Sequence, residues 1–175
     1  MVQPPEPDEY APFYQGYVAR VREGDVVAVL AGQPGELARV AAAVPPEGEG
    51  HRYAPGKWSV RQVFGHLADA ERLFGYRALC IGRGDTTPLP GFDENAYVDA
   101  GGFEDRTLAA LVAELLAARE SNLHLFRSFR AEEWRRRGTA NGLGITVRAL
   151  AWILAGHVRH HLAVLDERYG IAPLA

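Results

Sequence analysis

Cysteine is almost missing from this chain: Cys80 is the only one in 175 residues. A single thiol excludes a disulfide framework within the chain and any zinc or iron–sulfur site built from several cysteines. Lysine is equally scarce, Lys57 standing alone among 19 lysines and arginines, so Schiff-base chemistry would have one candidate. An excess of positive charge is also lacking. The formal net charge is −3, which gives no basic footprint for a phosphate backbone, and no nucleic-acid partner is expected. Long hydrophobic runs are absent too. The longest nearly uncharged one, "LAALVAELLAA" at 108–118, contains Glu114 and falls well short of the roughly 20 residues that span a bilayer. No membrane association is expected. The opening "MVQPPEPDEY" is acidic and proline-rich without an apolar h-region, which predicts a cytoplasmic protein.

What remains is an ordinary globular composition, 47% hydrophobic and 23% charged, and a length that suits one domain, 1–175, with a continuous core. Helical periodicity dominates it. Residues 1–9 read as an extended lead-in. An apolar pattern runs from Tyr10 to Leu30, broken at Gly24-Asp25, where Asp25 is a credible N-cap. Residues 35–44 continue helically behind Pro34, placed as a first-turn proline, and 45–57 form a Pro/Gly-rich connector. "SVRQ" is a capping box from Ser59 to Gln62, opening a helix that runs to about Ile81. Residues 82–103 show no sustained period. A further helix spans about Thr107 to Phe129, followed by a short turn at "AEEWRRRG" and a loop or brief strand pair at "GTANGLGI". The last helix has Thr146 as N-cap, an apolar stripe from Val147 to Leu165, and a stop at Gly170. The pattern predicts an all-α four-helix bundle with one long crossover.

Three of the six histidines lie in "AGHVRHHLAVL", residues 155–165. On a helix, His157 and His161 project side by side, as positions four apart do. His160 lies at the edge of that pair. Two imidazoles so spaced make half of a divalent-metal site. The H-E-x-x-H pattern of zinc peptidases fails here because Val158 follows His157, so the water-activating glutamate is absent. His66, in "FGHLADAE", supplies a third ligand. Asp69, three residues on, is placed to orient His66, to add a fourth ligand, or to accept a proton. Gly65 and Gly156, each preceding a histidine, permit close approach of a neighbouring element. His51 and His124 read as ordinary residues and Cys80 as a small buried side chain. Arg72 and Arg77 read as helix-face ion pairs with Asp69 and Glu71.

Segments 56–98, with its G-H-L-x-D-A-E, and 146–170, with its G-H-x-x-H-H, closely resemble the DinB superfamily, in its YfiT-like branch; residues 7–37 resemble the same branch. The resemblance implies an up-down-down-up four-helix bundle holding one divalent metal on His66, His157 and His161, with His160 the middle, non-ligating histidine. Zinc or nickel is expected first, while iron, manganese and copper also suit three imidazoles. The family's crossover corresponds to 82–103, which makes Asp93, Glu94, Asn95 and Tyr97 candidates for the pocket rim.

The reaction stays open at this level. One reading is transfer of a low-molecular-weight thiol, bacillithiol-like, to an electrophilic small molecule, with arginines such as Arg148 holding its acidic groups. A second is hydrolysis, with Asp69 or His160 as proton acceptor. A third is a non-catalytic, stress-related bundle with an incidental metal. A homodimer is the expected assembly.

Overall fold

The computed structural model describes residues 2–172. Seven helices are present among them: α1 (Gln15–Val18), α2 (Val26–Ala42), α3 (Val60–Gly82), α4 (Glu94–Ala100), α5 (Leu108–Ser128), α6 (Ala131–Trp134) and α7 (Val147–Tyr169). The four long ones, α2, α3, α5 and α7, form a four-helix bundle. A small antiparallel hairpin, β1 (Arg137–Ala140) and β2 (Leu143–Thr146), turns at Asn141 and Gly142. Both turn residues have positive φ, 53° and 73°, as the tight turn of a two-residue hairpin requires. No helix is long and apolar enough to cross a membrane among the described residues.

Local chemistry sets the helix starts. Asp25 accepts from the backbone of Val27 and Ala28 to begin α2. Ser59 and Gln62 close a reciprocal capping box on α3. Thr107 and Thr146 each accept from an amide three residues ahead. These bonds satisfy amides that the first helical turn otherwise leaves unpartnered. Gly170, at φ 69°, ends α7 in the left-handed conformation.

Two sequence expectations change. Pro34 does not start a helix; it lies inside α2. A proline there removes the amide that would bond to the carbonyl of Leu30. The Arg119 guanidinium donates to that carbonyl instead, at 3.0 Å, so a side chain of α5 replaces the missing backbone donor. The crossover 82–103 is not irregular throughout either, since Asp93 caps the seven-residue α4 within it.

Helices α3 and α5 run parallel, which is why the crossover must be long. Glu71 meets Arg119, Gly75 meets Asn122 and Gly82 meets Phe129, each step advancing in the same direction on both helices. Helix α7 returns antiparallel to α3, bringing its C-terminal half beside the N-terminal half of α3. His66 therefore faces His157 and His161 across the bundle. The core runs the length of the bundle, with Trp152, Phe64, Leu111, Leu115 and Leu150 fully buried.

Candidate metal centre

Helix α3 contributes His66, and α7 contributes His157 and His161. The three are 5%, 5% and 8% exposed. His157 Nε2 lies 3.0 Å from His66 Nε2 and 3.1 Å from His161 Nε2. Burial depresses all three imidazoles. It pushes His66 down to about 4, with a smaller contribution from His160. His157 and His161 are held well below the ordinary value, first by burial and then by neighbouring histidines. The cluster is therefore neutral at neutral pH, and its lone pairs are free to bind.

That convergence fits a cation. A neutral imidazole nitrogen offers one proton or one lone pair, so His157 Nε2 cannot satisfy both neighbours through hydrogen bonds alone. Three nitrogens sharing one ion at about 2.1 Å would lie roughly 3.0–3.4 Å from one another, close to the observed spacing. The Nδ1 atoms of His157 and His161 are buried without a protein partner. Nothing on the protein side fixes their tautomer against binding through Nε2.

The site forms one wall of a cavity of about 370 Å³. Its apolar lining is aromatic: Phe13, Tyr14, Tyr17, Trp58, Phe74 and Phe92. Arg77, Glu94, Asn141 and His160 supply polar groups. Tyr17 packs edge-on against His157 at 5.3 Å and His160 at 5.4 Å. It reaches them because Gly156 has no side chain; a Cβ there would overlap the Tyr17 carbonyl. Gly65 similarly admits the ring of Phe103. Trp58, just ahead of the α3 cap, packs on His66 at 4.8 Å and stacks on His161 at 6.3 Å. A second hollow of about 280 Å³ lies beyond Trp58, His160 and His161, and Lys57 and Tyr169 line it.

The remaining candidates divide. Glu94 lines the main cavity and Asn95 the second hollow. Asp93 instead caps α4, and Tyr97 packs on Phe92 outside both cavities. Asp69 turns toward α5, 3.9 Å from Arg72, among Arg106 and Glu114. It does not line the histidine cavity, because a residue three positions from His66 is displaced by about 60° around the helix. Arg148 is also elsewhere. It is paired with Glu9 at the opposite end of α7 and cannot hold a ligand at the histidines.

Arg77 and Glu71 do not form the expected surface pairs. Glu71 is buried against Arg119 and Asn122, while Arg77, 3% exposed, points into the cavity wall. The signal for Arg77 was present in the sequence: eleven residues from His66 is about 20° from the same helical face. Tyr17 and Trp58 had no such signal, since each reaches the site from outside the helices that carry the histidines.

The family model of the DinB superfamily matches residues 30–165. No curated protein matches the chain. Among solved structures, YfiT of Bacillus subtilis superposes with a TM-score of 0.76 at 20% identity, covering 94% of this chain and 95% of that one. It is described as a probable metal-dependent hydrolase with an unusual four-helix bundle topology. A mycothiol-dependent maleylpyruvate isomerase gives 0.67 at 14% identity over 86% of this chain, which spans 60% of that protein. The DinB-like YjoA of B. subtilis gives 0.57 at 18% identity, covering 80% of this chain and 85% of its own.

Proposed function

The chain belongs to the DinB superfamily, and on that premise we propose that it is a divalent-metal-dependent enzyme transferring a low-molecular-weight thiol to an electrophilic small molecule. The observation that carries this reading is the meeting of two cavities at one reactive wall. The aromatic cavity and the smaller hollow share Trp58, His160 and His161. Such an arrangement offers a two-substrate reaction one compartment for each reactant, beyond the single one that an ester and a water would use. One structural neighbour is described as mycothiol-dependent, which agrees with a thiol as the second reactant.

His66, His157 and His161 would hold the ion, zinc or nickel before iron, manganese or copper. A divalent ion held by three neutral ligands keeps its full charge and lowers the pKa of a thiol or a water that reaches it. The chain's other residues bind and shield. Trp58 and Phe74 flank the histidines with apolar surface, and Tyr17 closes the side facing α1. Low local polarity strengthens every electrostatic interaction made there. Lys57 lines the smaller hollow, where an acidic group of the thiol would find a positive charge.

Hydrolysis is the second reading, and His160 is the observation that favours it. Half-buried on the cavity wall, with its ring 5.0 Å from that of His161, it is placed as a proton acceptor. Burial lowers its pKa, with Arg20 acting the same way, so it is unprotonated at neutral pH. Asp69, turned away, is withdrawn from that role.

The first test is metal content by mass spectrometry on untagged protein, wild type beside His161→Ala. About one ion per chain, lost in the variant, is expected. Metal-loaded protein should then consume a chlorinated aromatic acceptor only when a thiol is supplied. Turnover of an activated ester without thiol, abolished by His160→Gln, would move the reading to hydrolysis. An absence of both activities would overturn the enzymatic reading.

A further inference from the structure

Arg77 is the one fully buried arginine besides Arg119 among the described residues, at 3% exposure. A guanidinium carries five donors and does not lose its proton in a protein. Here it donates one hydrogen bond, from Nη2 to the Pro90 carbonyl at 2.7 Å, and makes no ion pair among the described residues. Two rings flank it: its Cζ lies 5.6 Å from the centroid of Phe74 and 5.9 Å from that of Phe92. Those contacts offset part of the cost of burying the charge but supply no anion. Unpaired buried charge is costly to a fold. An apolar residue of similar size would fill the same wall without that cost.

The surroundings say what the charge faces. Arg77 lines the aromatic cavity that contains the three histidines. Phe74 is their common neighbour, its ring 6.3 Å from that of His157. Tyr14 lines the same cavity as Arg77, so a phenolic donor shares it with the guanidinium. The single carboxylate lining the cavity, Glu94, is exposed and is not within ion-pair distance of Arg77. The cavity thus has a planar cationic anchor at one end, the histidines at the other, and aromatic walls between them.

We propose that Arg77 is a carboxylate anchor, and that the small molecule acted on at the histidines is a carboxylic acid with a flat, apolar body. The fork of the guanidinium matches a carboxylate through two parallel hydrogen bonds, with the Tyr14 hydroxyl as an additional donor. The flat body lies along Phe74 and Phe92, which directs the far end of the molecule toward His157. Selection then works against neutral analogues, since an uncharged group leaves the guanidinium desolvated and unpaired. The proposal rests on the histidine cluster being the reactive centre, but it is tested by binding, without turnover.

Fluorine NMR titration of the full chain with 4-fluorophenylacetate and its neutral counterpart 4-fluorophenylacetamide provides the test, each run with zinc and with chelator. The acid should bind at least tenfold more tightly than the amide to the wild type, with or without metal. Arg77→Gln should remove that preference, and His161→Ala should retain it. Equal affinity for acid and amide in the wild type overturns the proposal, and this comparison needs no variant that might misfold. An acid preference lost in His161→Ala but kept in Arg77→Gln also overturns it, because the carboxylate then binds at the histidines. Failure of metal uptake with the acid preference intact would sink the proposed enzymatic reaction and leave the anchor standing.

Discussion

Arg119 and Arg77 are both buried in the bundle, yet their surroundings are opposite. Arg119 is 0% exposed and every side of its guanidinium is occupied: Glu71 accepts from Nε and Nη2, while Gln33 and the Leu30 carbonyl accept from Nη1. Glu71 in turn accepts from Asn122, and Gln33 donates to the Ala155 carbonyl at 2.7 Å. The network ties α2, α3, α5 and α7 together. Arg77 has one carbonyl partner and two aromatic rings. The histidine cluster resembles Arg77, with nitrogens crowded together and two Nδ1 atoms unpartnered. A polar group whose bonding capacity is used within the chain holds the fold. One whose capacity is left over in a cavity wall is available to a ligand.

The comparison breaks most visibly at Arg119. Arg119→Ala should destabilise the protein by about 3–5 kcal/mol, because it leaves Glu71 buried without a cation and orphans the Leu30 carbonyl beside Pro34. Urea unfolding measures this, and a loss below about 1 kcal/mol would show that the network is not needed for folding. Gly156→Ala comes next. Its Cβ would collide with the Tyr17 backbone, and overpacking of this kind costs about 1–3 kcal/mol, more than the helix propensity gained. A variant as stable as the wild type would mean that α1 shifts freely.

His161→Ala sharpens the contrast from the other side. Its Nδ1 has no protein partner to lose, so metal-free protein should lose only the packing of the buried ring, about 1–2 kcal/mol, while metal uptake disappears. The smallest effect is expected at Glu9. Burial alone would raise its carboxyl, but hydrogen bonds from Arg148 and Thr146 outweigh burial and hold it below its ordinary value. A depressed carboxyl stabilises the fold above its unfolded pKa and loses that stabilisation as pH falls through its folded one. Wild type should therefore lose up to about 1 kcal/mol below roughly pH 4.5 relative to Glu9→Gln, since this pair is partly exposed. Parallel denaturation curves at neutral and acid pH would detect it.

Much of this was legible beforehand for a physical reason. The caps at Asp25, Ser59 and Thr146 are local bonds between a side chain and an amide two or three residues away, so spacing alone reveals them. The adjacency of His157 and His161 follows in the same way from one turn of helix. Pro34 was misread because its lost bond is replaced from α5, 85 residues on, beyond any local window. Asp69 and Arg77 were misread because a helical wheel gives an angle but not which neighbour occupies it. The face 60° from His66 meets α5, whereas the face of Arg77 meets the cavity.

By itself, the sequence determined where the four long helices begin, to within a residue or two, and which pair of histidines shares a face, since both depend on contacts within a turn or two of chain. Only the tertiary structure decided which buried charges are neutralised. That depends on parallel packing of α3 and α5, which supplies Glu71 with Arg119. The same bundle turns Arg77 toward aromatic walls and brings His66 to within 3.0 Å of His157, 91 residues along the chain.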